Sequence, residues 1–491
     1  MIRSLFLLFI SVSLTMNIGL AQTDSTKRIS DEFSIEDLEG FLFTNHPVLK
    51  QIQLLSESAR ADVTQALGKF DPALYADFKN KYFGESSYYN DWSSELKVPL
   101  WLAGADLKVG YDRNVGNYTN PQSRTPNSGL SGVGISIPLG QGLLIDSRRN
   151  TLQQARAMLG YAEAEQVRQI NSLWYTALSD YWDWYFAHQQ YVLQEDAVEL
   201  AATRFSAISE QTVLGDRPPI DSVEAAITLQ ERQMQLAKSA IELRNTKLVL
   251  SNHLWNENQE PVELPDRAVP ISIDITKLAP EPQLLSQLLE LAEQQHPELL
   301  KLESKGLQLN IEERYRREML KPRLDISGTL IAGRNFREPV EPIYDFNLGN
   351  YKLGMSFAFP IFLRAERGRL RSVRIDQEQL RYDQVITGRN IRNDINTTYN
   401  DLTAYTRQLR LQIQSIANQE VLVAGELQKF ELGESTLFII NNRETTLIDM
   451  QRKRENLVVE YQKALGGLYY KAGTRQAMDV NSPMGNPNLS R

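Results

Sequence analysis

No cysteine occurs in the 491 residues. Disulfides, thiolate zinc sites and cysteine nucleophiles are therefore excluded together. Histidine is nearly as scarce, with only His46, His188, His253 and His296. Neither His46 nor His296 has a second histidine at helical spacing. His46-Pro47 and His296-Pro297 read instead as helix starts, with proline in the first turn. No catalytic, cofactor-binding or metal-binding set emerges, and no paired carboxylates stand in a loop context. Beyond the N-terminus no stretch reaches the ~18 uninterrupted apolar residues that suggest a spanning helix. A charged content of 23% excludes a polytopic helical membrane protein. Positive charge is in deficit, with Lys+Arg 53 against Asp+Glu 61 and a formal net charge of −8. That argues against nucleic acid as a partner, because such binding rests on cationic contacts to phosphate.

Proline is missing from two long stretches. Residues 363–430 contain none and only three glycines, Gly368, Gly388 and Gly425. Ile391, Ile395, Leu402, Tyr405, Leu409, Ile413, Ile416, Val423, Leu427 and Phe430 recur there at three- and four-residue steps. That is one stripe on a helix, close to coiled-coil spacing. At 1.5 Å per residue the helix would be on the order of 100 Å long. Residues 143–209 repeat the design. A compact domain cannot bury such rods, so a long bundle is expected.

The first 21 residues have a basic start, an apolar core and Ala21 before the break, and they read as a signal peptide. The alternative is an uncleaved anchor. Cleavage after Ala21 would remove Arg3, leaving 52 basic and 61 acidic residues and a formal charge of −9. Residues 22–34 read as a flexible lead-in, and Ser34 as the cap of a short helix. From about residue 71 to 139 the period changes to two. Pro72–Phe83, Ser93–Val98, Ala105–Tyr111 and Gly132–Ile137 alternate apolar with polar, as antiparallel strands do. A soluble sandwich and a membrane barrel wall both produce that alternation. Tyr82, Phe83, Tyr88, Tyr89 and Trp92 fit an aromatic belt at a membrane interface, or a sandwich core. A further helix is expected over 221–255, then a linker over 256–277.

The second half replays the first. Gln295-His296-Pro297 answers Asn45-His46-Pro47, and Pro322-Arg323-Leu324 answers Pro72-Ala73-Leu74. Phe359-Pro360-Ile361 answers Ile137-Pro138-Leu139, and Leu432-Gly433-Glu434 answers Leu214-Gly215-Asp216. Landmarks in the same order indicate a structural duplication. The first unit covers 22–255. The second covers 278–472, with strands at about 322–361, the long helix 363–430 and a last helix 436–472. A disordered tail is expected over 473–491. The fold class is α+β, mostly α. Each unit offers at least two strands, and four strands close no barrel, so closure needs further copies. Three copies of four strands would make twelve. Residues 95–111 leave open whether the first unit adds a hairpin.

These motifs, in this order and duplicated, make the chain resemble the TolC-like outer membrane efflux protein family. The resemblance covers the whole mature chain. It implies a homotrimer with a twelve-stranded β-barrel in outer membrane lipid, continued by an α-helical barrel through the periplasm. It implies a periplasmic adaptor (membrane fusion protein) and an inner-membrane pump as partners, in efflux or type I secretion.

The sites are then structural. Leu214, Gly215, Asp216, Arg217 and Leu432, Gly433, Glu434, Ser435 form two helical turns. The glycines are expected as left-handed C-caps, and the resemblance adds adaptor docking at the tips. The first turn departs from the family pattern through Pro218-Pro219. Glu420, Glu426, Lys429 and Glu431, with Asp216 and Arg217, are gate candidates, since charge rings can hold a constriction. The alternative for each is a solvated helix face. Trp174, Trp182 and Trp184, with Tyr175, Tyr181 and Tyr185, read as packing between rods. The rival to a channel is an exported coiled-coil scaffold or stalk without a pore.

Overall fold

A computed structural model describes residues 31–275, 278–333 and 346–475. The expected signal peptide, most of the loop between residues 334 and 350, and most of the tail lie outside the described residues. The chain begins with strand β1 (Glu32–Phe33), helix α1 (Ile35–Asn45) and helix α2 (Pro47–Leu67). Four strands follow: β2 (Ala73–Phe83), β3 (Ser86–Pro99), β4 (Asp106–Val115) and β5 (Leu130–Pro138). Helix α3 (Ser147–Leu214) and helix α4 (Pro219–Ser251) complete the first half. The second half has β6 (Val269–Pro270), α5 (Leu284–Gln295), α6 (Pro297–Glu318), β7 (Arg323–Gly333), β8 (Tyr351–Ala358), α7 (Arg364–Glu431) and α8 (Leu437–Lys471).

Local chemistry sets the helix starts. Ser34 caps α1 in a reciprocal box: its hydroxyl accepts from the Asp37 N–H at 3.0 Å, and the Asp37 carboxylate accepts from the Ser34 N–H at 3.2 Å. The two His-Pro starts share one device. Nδ1 of His46 accepts from the Val48 N–H, and Nδ1 of His296 accepts from the Glu298 N–H, each at 3.2 Å. Only a neutral imidazole can accept. Burial lowers the pKa of both histidines, helped at His46 by the neighbouring His253.

The long helices α3 and α7 each run 68 residues, on the order of 100 Å. Helix α3 begins at Ser147 rather than at 143, because Asp146 is its cap and accepts from the Arg149 N–H at 2.9 Å. It continues past 209 until Gly215 turns left-handed. Helix α4 stops at Ser251, short of Trp255, which bridges Pro261 instead. The expected linker is not structureless. Its residues Val269 and Pro270 pair in parallel with Glu32 and Phe33, within the lead-in that was expected to be flexible.

The helices lie side by side in a layer. Helix α3 touches α2 and α6 toward the sheet, and α4 and α8 away from it; α7 touches α6 and α8. The order is therefore α2-α3-α6-α7 at one level and α4-α3-α8-α7 at the other. The main core sits midway along α3. There Trp174, Tyr181, Trp182, Trp184 and Tyr185 pack with Phe33, Leu38, Leu42, Leu250, Leu254 and Val458. The Tyr181 hydroxyl donates to the Phe33 carbonyl at 2.9 Å.

The remaining strands form one antiparallel sheet in the order β2-β3-β4-β5-β7-β8. Among the described residues the first half thus contributes four strands to this sheet and the second two. This corrects the count of four per chain on which a twelve-stranded barrel depended. Pro99 to Asp106 is a turn, so the alternating residues on either side of it form two strands and not one kinked strand.

Register puts Leu74, Phe78, Trp92, Leu96, Val109, Val133, Ile135, Ile326, Leu353, Met355 and Phe357 on one face. All of them are exposed. The opposite face carries Asp77, Lys79, Glu95, Lys97, Lys108 and Asp112. Lys97 meets Asp106 at 3.0 Å and Lys108 meets Glu95 at 3.3 Å. No described helix is long and apolar enough to cross a membrane.

Candidate docking tips and gate

The two sharp turns lie at the end of the rods far from the sheet, where α3 passes to α4 and α7 to α8. Each ends a helix of 68 residues, and each solves the same problem of unpaired terminal carbonyls. Gly215 has φ of +84° and Gly433 has φ of +76°, a region a side chain disfavours. The Gly215 N–H donates to the Thr212 carbonyl at 3.1 Å, and the Asp216 N–H to the Gln211 carbonyl at 2.9 Å. The Gly433 N–H donates to the Phe430 carbonyl at 3.1 Å, and the Glu434 N–H to the Lys429 carbonyl at 2.8 Å. Both turns are therefore Schellman caps with the same pair of bonds. The second begins its next helix at Leu437; the first does so through Pro218 and Pro219, with Pro219 as the first helical residue.

Beneath the turns lies a small core of Ile208, Ala225, Phe430, Leu437 and Ile440, with Phe205 packed against it. It joins the two halves at their tips. Arg217 crosses the same boundary. Its guanidinium carbon lies 4.0 Å from the Phe430 ring centroid, and its Nη2 donates to the Phe430 carbonyl at 3.3 Å. The Asp221 carboxylate stands 3.9 Å away. A guanidinium over a ring is attractive by ~0.5–1 kcal/mol at a wet site. Nearer the sheet, Arg204 and Glu444 form a bidentate pair between α3 and α8, each only 12% exposed.

The charged candidates divide. Glu426 is half-buried and accepts from the Ser435 hydroxyl, so one gate candidate and one tip candidate touch. Arg217 is directed onto Phe430. Asp216, Glu420, Lys429, Glu431 and Glu434 are exposed. The tips also expose apolar groups: Val213, Leu214, Ile220, Leu432 and Phe438. Val213, Ile220 and Phe438 were not singled out from the sequence. Phe430 was visible as the end of the α7 stripe, but its role as the platform for Arg217 depends on a contact 213 residues apart in the chain. Among the described residues no group of three or more His, Asp or Glu could hold a metal ion.

A second surface feature concerns α4. Ile220, Ile227, Met234, Ile241 and Leu248 fall every seven residues and are between 49% and 67% exposed. A strict seven-residue apolar repeat is a coiled-coil seam, and among the described residues nothing covers this one.

No family model matches the chain, and no curated protein matches it. Solved structures do. CusC, whose structures describe folding and transmembrane channel formation, superposes with a TM-score of 0.66 over 93% of this chain and 96% of its own, at 15% identity. The MtrE outer membrane channel of Neisseria gonorrhoeae, in its open state, gives 0.64 over 90% and 89%, at 13% identity. The outer membrane protein VceC of Vibrio cholerae gives 0.62 over 90% and 96%, also at 13% identity.

Proposed function

We propose that this chain, which has the fold of the TolC-like outer membrane channels, is the exit duct of a tripartite efflux pump or a type I secretion system. Copies of the chain close around a common axis as a homotrimer. The sheets make a barrel in outer membrane lipid, and the rods make a tunnel through the periplasm. Substrate passes without chemistry and without a cofactor, driven by an inner-membrane pump and received through a periplasmic adaptor.

The observation that carries this reading is the sheet. One face is mainly apolar on all six strands and exposed, with Asn80, Asn90 and Arg113 only toward its end away from the helices, while the other carries charge on β2, β3 and β4 and mostly small residues on β5. Water would penalise that apolar face; lipid would favour it. Only helices and closed barrels satisfy every backbone group in lipid, so the two open edges require other copies. The uncovered α4 seam makes the same demand lower down. A stalk without a pore needs the seam but gives the apolar sheet no purpose.

The tips would dock the adaptor through Leu214, Gly215, Asp216, Arg217, Leu432, Gly433, Glu434 and Ser435. Nearby Glu420, Glu426, Lys429 and Glu431 would line the constriction, in excess negative charge. The test is the native mass and bilayer conductance of protein extracted from outer membranes. The reading expects a detergent-dependent trimer with a small, cation-preferring conductance. A soluble monomer without conductance would favour the stalk. In the trimer, Gly433→Val should stop export, because the left-handed cap strains a β-branched residue; export at the normal rate would remove docking from this turn.

A further inference from the structure

We infer that the membrane wall is built from six strands per chain and closes as eighteen strands, with β2 of one copy pairing with β8 of the next. The inference rests on the trimeric duct proposed above and specifies how its barrel is made.

Three observations carry it. First, the three strands before β5 are of membrane length. A spanning strand needs ~9–11 residues; β2 has 11, β3 has 14 and β4 has 10. The β2–β3 ladder runs from Ala73↔Lys97 to Phe83↔Ser86 and the β3–β4 ladder from Asn90↔Val115 to Pro99↔Asp106. Both carry the same apolar face as β5, β7 and β8. A hairpin folded outside the wall would not keep the lipid-facing pattern in register with it.

Second, the β3–β4 turn is anchored to the root of a rod. Arg148, in the first turn of α3, donates to the Asp106 carboxylate at 2.7 Å and to the Gly104 carbonyl at 2.9 Å. Trp101 stacks on Phe70 with centroids 4.2 Å apart. The extra strands therefore rise directly from the helical layer.

Third, the perimeters agree. Strands ~4.8 Å apart and tilted ~40° give eighteen strands a perimeter of about 110 Å and twelve strands about 75 Å. Each copy sets four helices abreast at any level. Twelve helices ~9 Å apart need about 110 Å. A wall of six strands per chain sits on the helical ring without narrowing; a wall of four would have to taper by about a third. The edges also have the right sense. With six alternating strands, β2 and β8 run oppositely, so a β2–β8 pair between copies is antiparallel like every other pair in the sheet.

Because the chain has no cysteine, introduced pairs report without background. Ala76→Cys in β2 would be combined in turn with Leu353→Cys, Met355→Cys and Phe357→Cys in β8. Val109→Cys in β4 would be combined with the same three. The protein would be oxidised in outer membranes, then analysed both denatured and by native mass in detergent. An eighteen-stranded wall gives covalent dimers and trimers with at least one Ala76 combination and none with Val109, since bridged Cα atoms must lie within about 7 Å. Cross-linking through Val109 instead would mean that β4 is the edge and the wall has twelve strands, which overturns the inference while the trimer stands. A native trimer with no cross-link in either series also overturns it. A monomer by native mass would show that the duct itself is wrong.

Discussion

Helices α3 and α7 have the same length and the same place in their repeats, yet they live in different surroundings. Helix α3 lies inside the layer with a neighbour on each side, whereas α7 is an edge. Helix α3 buries fifteen positions and α7 nine, although both are one long helix without proline. The return helices reverse the relation: α8 lies inside and buries ten positions, while α4 is an edge and buries five. The sheet repeats the arrangement, with β2 of the first half and β8 of the second as its open edges. The two halves therefore pack on each other at one side and leave unlike edges at the other. Unlike, complementary edges are what a head-to-tail ring requires.

The sharpest test of that contrast strikes an edge. Met234→Glu with Ile241→Glu places two charges in the exposed α4 seam. Both side chains are largely exposed among the described residues, so helicity by circular dichroism should be unchanged while the native mass falls from the proposed trimer to a monomer. A trimer that persists would show that this seam is not an interface.

Next comes the interior. Trp184 is fully buried, and the residue at the same distance along α7 is Asp401, which is exposed. Trp184→Ala should destabilise by about 3–5 kcal/mol, as large cavities in cores do. Asp401→Ala should change stability by about 0.5 kcal/mol or less. Thermal unfolding of the two variants checks both. Similar shifts would mean that the repeats are more alike than their packing indicates.

The smallest effect lies at the seam between the halves. Glu165 of α3 meets Arg168 at 2.5 Å on its own helix and Lys301 of α6 at 2.8 Å. Arg168 chiefly, and Lys301 with it, hold the Glu165 carboxyl at about 2, below the ordinary 4.5. A depressed folded value means stability that is present above about pH 4.5 and lost as the pH falls toward 2. Glu165→Gln should lower stability by about 1 kcal/mol or less near neutrality, and the deficit against the native chain should shrink through that window. A deficit that is constant with pH would assign the effect to packing instead of charge.

Several features were legible in the sequence because they depend on near neighbours in the chain. The rods follow from an apolar period and the lack of proline. The His-Pro starts and the two glycine turns follow from which backbone groups a helix end leaves unpaired. The alternating strands showed which residues share a face, and the repeated landmarks showed that each half runs through helices, strands, a long helix and a return helix in the same order. The cluster around Trp184 was visible as a concentration of aromatics, and Phe430 as the last residue of a stripe.

Other features required the tertiary structure, because they depend on residues that are distant in sequence. Residues 95–111 alternate alike in one kinked strand or two; the turn at 100–105, held by Arg148 more than forty positions on, decides for two. Arg217 reads as a free gate charge until Phe430 from the other repeat is placed beneath it. Likewise α3 and α7 look equivalent until their neighbours are known. By itself the sequence determined which surfaces are apolar, since period and side-chain chemistry are local. Only the tertiary structure decided which of those surfaces face their own chain and which remain open, because burial belongs to pairs of surfaces and not to single ones.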